Sequence, residues 1–339
     1  MKVYHGPQNI GGMAGVLASA QRDLGVLSTS YCYTTGNFRY KVDREIALYR
    51  NPIKRSWAML MLLIKAILSY DVFQFYFGES MTGSWLLEPP VLKKLGKKVY
   101  FYFCGCDIRD SKRTIETYRY SACNACWPMA CSANRKKALL TAAAYADGIF
   151  VSTPDLLEFV PNSILLPQPI DLKAFRSIKS AIVNEKASEH TIKIAHAPSN
   201  RKMKGTQYVE EAISALQELG YPVQLLLVEN LSYEEALKKC AHADIVIDQL
   251  LIGAYGQYAV EMMALGKPVV CYLREDLIQH YHSDLPIINA NPENIIQVLK
   301  DLIDRKSDWD TIGRHGITYV ENHHDSHVIA RKLIDIYKK

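Results

Sequence analysis

The segment Asp248-Gln249-Leu250-Leu251-Ile252-Gly253-Ala254-Tyr255-Gly256-Gln257-Tyr258-Ala259-Val260-Glu261-Met262-Met263-Ala264-Leu265-Gly266-Lys267-Pro268 reads as one step of an α/β repeat. An apolar run, residues 245–248, ends at its first residue and predicts a strand. A loop bearing two glycines follows, a helix is expected from about Tyr258 to Leu265, and residues 268–272 supply the next strand. Short buried strands separated by helices imply a parallel sheet covered on both faces. The start of such a helix carries backbone N–H groups without intrahelical partners and the positive end of the helix dipole, which together favour phosphate. Glu261, one turn further in, places two acceptor oxygens where a ribose could offer two hydroxyls, although a plain surface glutamate would give the same letters.

The same rhythm extends in both directions. Downstream, helices are expected over residues 291–304 and 324–337. Upstream, strands are expected at residues 192–195 and 223–228, with helices over 205–219 and 233–240. Before these lies Leu165-Leu166-Pro167-Gln168-Pro169-Ile170-Asp171 and a polar stretch to His190, the best linker in the chain. On its other side the pattern appears again: residues 2–4, a glycine loop 9–15, a helix to about Leu24, and apolar runs at 72–77, 99–103 and 148–151 with helices such as 60–68 and 135–145 between them. The expected fold class is therefore α/β, with two doubly wound domains. Their boundaries are set at 1–168 and 169–323, and a closing helix, 324–339, is expected to return to the first domain. Domains of this kind bind ligands at the carboxyl ends of their strands, facing each other across a cleft.

With 339 residues, two cores are expected. A 49% hydrophobic and 22% charged composition excludes disordered and collagen-like chains. No apolar run reaches the ~20 residues of a spanning helix; the nearest approach, Trp57 to Ile64, is bounded by Lys54, Arg55 and Lys65. The opening MKVYHG has no leader-like stretch, so the chain reads as cytoplasmic. Residues 1–165 hold 20 Lys and Arg against 12 Asp and Glu, a net +8, and the remainder is net −3. Two clusters, Lys93, Lys94, Lys97 and Lys98, and Arg135, Lys136 and Lys137, suit either solvated helix faces or peripheral contact with an anionic membrane. No nucleic-acid partner is expected.

The 248–268 segment resembles the donor signature of the family-four retaining glycosyltransferases of GT-B fold, in which two glutamates eight positions apart precede an Ala-Leu-Gly-Lys-Pro-Val-like tail. Glu261 takes the place of the second glutamate, which the resemblance assigns to the nucleotide ribose. Gly256, Gln257, Tyr258, Ala259 and Val260 take the turn whose amides meet a diphosphate, with Tyr255 just before it. The first glutamate, which would contact the donor sugar, is replaced by Gly253, leaving Asp248, Gln249, the backbone or nothing to do so. The loop His196-Ala-Pro-Ser199-Asn200-Arg201-Lys202-Met203-Lys204-Gly205 resembles the family's Gly-Arg-to-Lys-Gly loop: Lys204 stands for the phosphate lysine, Ser199 replaces the arginine, and Arg201 is the substitute cation.

In the first half, Gly11 and Gly12 match an acceptor-side glycine pair, while a full G-x-G-x-x-G is missing, which argues against a dehydrogenase. Phe103-Cys104-Gly105-Cys106-Asp107-Ile108-Arg109 stands where the family shows His-Gly-Ser-Asp. Cys104 replaces the histidine near the sugar, and Asp107 and Arg109 match, to pair with each other or with a hydroxylated acceptor. Catalytic candidates are thus Asp107, Cys104 and Asp248, and no base is assigned. Cys123-x-x-Cys126 with Cys131, completed by Cys104 or Cys106, fits a structural zinc site; reduced buried thiols or a redox-sensitive loop are the other readings. The resemblance implies transfer of a hexose-like sugar from a nucleoside-diphosphate-sugar donor to a hydroxyl of a glycan or lipid-linked acceptor, with retention, without a catalytic cofactor, in cell-surface polysaccharide or glycolipid synthesis. A nucleotide-sugar epimerase and a non-catalytic nucleotide-sugar-binding subunit are the alternatives.

Overall fold

The computed structural model describes residues 1–33, 40–46, 51–126, 132–183 and 191–339. The chain begins β1 (Lys2–His5), α1 (Met13–Asp23), β2 (Leu27–Cys32), β3 (Arg44–Glu45), α2 (Pro52–Ser69) and β4 (Val72–Tyr76). It continues α3 (Glu88–Lys94), β5 (Lys98–Phe103), α4 (Ser111–Thr117), α5 (Ser132–Tyr145), β6 (Gly148–Val151), β7 (Ile164–Leu165) and α6 (Leu172–Val183). Then come β8 (Ile192–His196), α7 (Arg201–Lys204), α8 (Thr206–Glu218), β9 (Val223–Leu227), α9 (Tyr233–Ala241), β10 (Ile245–Ile247) and α10 (Gln257–Ala264). The last elements are β11 (Val269–Cys271), β12 (Ile288–Asn289), α11 (Ile295–Asp304), α12 (Trp309–His323) and α13 (Ser326–Lys338).

Two compact units result. The first comprises Met1–Asp110, Met129–Pro169 and Ser326–Lys339. Among its described residues, seven strands are ordered β3-β2-β1-β4-β5-β6-β7, and every pairing is parallel. Its central strands are aromatic: Tyr4, Phe73, Phe75, Phe101 and Phe103 fill one face, and Tyr76, Tyr100, Tyr102 and Phe150 the other. The second face is covered by α1 and α13 through Leu17, Leu333 and Tyr337. Burial of both faces explains why these strands read as unbroken apolar runs rather than alternating ones.

The second unit comprises Ser111–Pro128 and Ile170–Asp325, and among its described residues five parallel strands are ordered β12-β11-β10-β8-β9. Residues 111–128, which the expected boundaries place in the first domain, cluster with the second unit. The Ala122 N–H donates to the Leu251 carbonyl at 3.0 Å, the Tyr120 ring meets Tyr272 edge-on, and Arg274 lies over the Tyr118 ring. These contacts hold the segment to the loops that follow β10 and β11. No local pattern announces such long-range pairing.

In both units the first strand ends on a histidine with no solvent exposure. His5 bonds Tyr76 Oη and Gln21, and His196 bonds the Ile247 carbonyl and Thr206. Burial lowers both imidazoles to about 4, because a cation there would lose its hydration. Their ring NMR signals are therefore expected to stay constant from pH 8 down to about 5; a transition near pH 6.5 in either would contradict the burial.

Candidate functional site

The second unit brings three loop-borne features together at the carboxyl ends of β8 and β10. Lys204, at the end of α7, turns its ammonium onto Asp248 Oδ1 at 3.0 Å and Gln249 Oε1 at 2.5 Å. Asp248 is buried, and its other oxygen accepts the Gly256 N–H at 2.8 Å. The carboxylate thus fixes the lysine against the residue that opens α10. A Cβ at Gly256 would lie 3.6 Å from Lys204 Nζ and 3.4 Å from Asp248 Oδ2, in ordinary contact with both groups. An ammonium has three N–H donors, and two are engaged here. The first-turn amides of α10, among them Tyr258 and Ala259, have no carbonyl one turn back to bond. Cation and helix start therefore converge on the same space, an arrangement suited to a diphosphate.

Glu261 lies one turn inside α10 and is buried. Its Oε1 accepts the Tyr233 hydroxyl at 3.1 Å. Burial raises this carboxyl to about 8, against the pull of hydrogen bonds from Tyr233 and Gln257, with Asp248 adding like-charge repulsion. The unfolded value is near 4.5, so the shift contributes stability below that pH, and this is lost as pH rises through about 8. Glu261→Gln is accordingly expected to melt at a higher temperature than wild type at pH 8, with the difference vanishing toward pH 4.5; equal melting at pH 8 would contradict the buried acid.

Other expected residues are placed differently. At Gly253, φ is +81°, and a Cβ would sit 2.5 Å from Arg274 Cγ and 2.7 Å from its Cδ. The Arg274 guanidinium is itself held by Asp276 at 3.0 and 2.6 Å and by the Tyr118 ring. This position has no room for the side chain that the resemblance would put there. Tyr255 points into the core, bonding Tyr319 Oη and His324 and stacking on Tyr281. The side chains of Ala259 and Val260 are fully buried, leaving only backbone to a ligand. Ser199 is exposed. Arg201 is engaged by Glu229 at 2.9 Å and by Glu210, and it lines a separate pocket of about 430 Å³ with Arg119, Tyr120 and Tyr208 rather than joining Lys204. Gln249 and Tyr233, the partners of Lys204 and Glu261, belong to no motif, and no local spacing marks either for this role.

In the first unit, Asp107 accepts the Cys104 N–H at 3.1 Å and the Gly105 N–H at 2.7 Å, closing the turn after β5. Burial raises its carboxyl to about 6 even so, and pushes the Cys104 thiol well up. Arg109 forms a buried pair with Asp155 at 2.6 and 3.0 Å. Gly11 and Gly12 adopt left-handed backbone, and the Tyr40 ring covers Gly12. Asn9 caps α1 by accepting from the Ala14 and Gly15 amides.

The expected zinc site falls partly outside the described residues. Among the described residues, no group of three or more His, Cys, Asp or Glu is placed to hold a metal ion. Cys104 and Cys106 belong to the first unit and Cys123 and Cys126 to the second. Cys131 lies outside the described residues.

No protein-family model and no curated protein sequence matches the chain. Solved structures do match it in three dimensions. Anabaena HepE in complex with UDP-glucose superposes with a TM-score of 0.66 at 11% identity, over 99% of this chain and 98% of that one. Sucrose-phosphate synthase from Thermosynechococcus elongatus gives 0.61 at 12%, over 99% and 98%. UDP-GlcNAc 2-epimerase from Neisseria meningitidis bound to UDP-GlcNAc gives 0.54 at 14%, over 98% of both. At such identities the likeness establishes the fold: the chain has the α/β two-domain GT-B fold.

Proposed function

We propose that this GT-B chain is a nucleotide-sugar-dependent glycosyltransferase whose donor site is the Lys204, Gly256 and Glu261 corner of the second unit. One observation carries the reading: a lysine held by a buried aspartate, an open helix start and a buried carboxylate one turn inside stand in the order phosphate, phosphate, ribose. The structural neighbours whose names include UDP or UDP-glucose support the same reading. In it, Lys204 and the α10 amides stabilise the charge that develops on the leaving diphosphate, and Asp248 keeps Lys204 in place. Glu261 accepts from the ribose hydroxyls. These bonds favour its ionised form, so donor affinity should rise with pH up to about 8 and binding should release a proton. The first unit takes the hydroxyl acceptor, a glycan or a lipid-linked sugar. The finer assignments, retention of configuration, hexosyl transfer and a place in cell-surface polysaccharide or glycolipid synthesis, rest on the family-four resemblance.

Blocked Gly253 favours a second reading, a subunit that binds donor without transferring it. Both are tested by thermal shift against nucleoside diphosphates and their sugars, followed by product analysis. A donor at 100 times its Kd should stabilise the fold by about 2.7 kcal/mol. Transfer to an acceptor supports the first reading. Binding without transfer or hydrolysis supports the second, a changed sugar released without an acceptor identifies an epimerase, and failure of every nucleotide to bind removes all three.

A further inference from the structure

Helix α2 in the first unit buries one face and, among the described residues, leaves a second apolar face uncovered. Ala66 is buried in the aromatic core, with Met59, Leu62, Leu63 and Ile67 packed against it. The opposite side carries Ile53, Trp57, Leu60, Met61, Ile64 and Leu68, each between 44% and 79% exposed. At roughly 100° per residue these six fall within an arc of about 100°, a continuous stripe along the helix. Large apolar side chains scattered singly over a surface need no explanation, but six in register do.

The charges beside the stripe select its partner. Lys54, Arg55 and Lys65 are exposed, Lys54 and Lys65 project close to one edge of the stripe, and α2 contains no acidic residue. Two copies meeting symmetrically through this face would bring these cations against their own images, which disfavours a dimer. An anionic lipid surface offers acyl chains to the stripe and phosphates to the cations, and the Trp57 ring has the amphipathic character found at that boundary. No helix among the described residues is long and apolar enough to cross a membrane. The lysine and arginine clusters that the sequence offered for this purpose are partly committed elsewhere: Lys93 pairs with Asp147, Lys97 and Lys98 bond the Tyr70 and Tyr337 carbonyls, and Arg135 pairs with Asp110.

We infer that α2 is an interfacial helix that docks the first unit in-plane on an anionic lipid surface through its Ile53-to-Leu68 stripe. The inference goes beyond the donor reading and does not depend on it. Flotation with vesicles of phosphatidylcholine, alone or mixed with phosphatidylglycerol, tests it on the full chain. Wild type should float with the anionic vesicles and less with the neutral ones. Trp57→Ser combined with Leu60→Ser and Ile64→Ser should reduce partitioning by at least tenfold on the basis of the apolar area removed. Lys54→Glu with Lys65→Glu should lose binding only on anionic vesicles. All these positions are exposed, so melting temperatures and donor binding should be unchanged. Wild type that does not float, or a serine variant that floats equally well, overturns the inference. So does a wild-type dimer that the serine variant dissociates while vesicles bind neither. Each of those results leaves the donor reading standing, and loss of donor binding in wild type would leave the vesicle result intact.

Discussion

Lys204→Ala is expected to weaken nucleoside-diphosphate-sugar binding by about two orders of magnitude and also to destabilise the protein. A charge-assisted hydrogen bond to phosphate contributes about 1.5–3 kcal/mol, which sets the affinity loss. The stability loss has a different origin. The Asp248 side chain has no exposed surface, and without the ammonium it becomes a buried anion whose remaining firm partner is the Gly256 amide. Removing one member of such a pair costs about 3 kcal/mol or more. The double variant Lys204→Met with Asp248→Asn separates the two effects, because asparagine still accepts from Gly256 and no anion is stranded. It should regain most of the stability and none of the affinity. Calorimetric titration and thermal melting of the two variants check both arms, and a Lys204→Ala protein that binds donor as wild type does would place the diphosphate elsewhere.

Gly253→Glu, which would restore the residue of the family pattern, is expected to damage the protein rather than improve it. The backbone is left-handed at φ +81°, a cost of roughly 1–2 kcal/mol for a residue with a Cβ. The Cβ would also overlap Arg274, which is buried and held by Asp276 and Tyr118, adding about 1–3 kcal/mol of overpacking. A total of about 2–5 kcal/mol should lower the melting temperature by several degrees. Gly253→Ala should lose most of the same stability, since the strain lies at the Cβ and not in the carboxylate. A Gly253→Glu protein that melts normally and transfers sugar faster would show instead that Arg274 swings aside and that the position awaits its glutamate. If the variant is only damaged, this chain makes its sugar contact, if any, with other groups.

The amino-acid sequence by itself determined the repeating strands and helices, the glycine turn before α10, Glu261 one turn inside it, and Lys204 at the end of its loop. Each depends on spacing within a dozen residues, where helix and strand periodicity act directly on the letters. Tertiary structure alone decided that Lys204 meets Asp248, 44 positions away, and that Arg201 goes to Glu229 and Glu210. It also turned Tyr255 into the core and carried residues 111–128 into the second unit. The stripe on α2 belongs with these. Its letters predict an amphipathic helix, but which of two apolar faces meets the core, and which is left to solvent, follows from how the helix lies on the aromatic sheet. Strand register and packing join residues far apart in sequence, and local pattern holds no record of that choice.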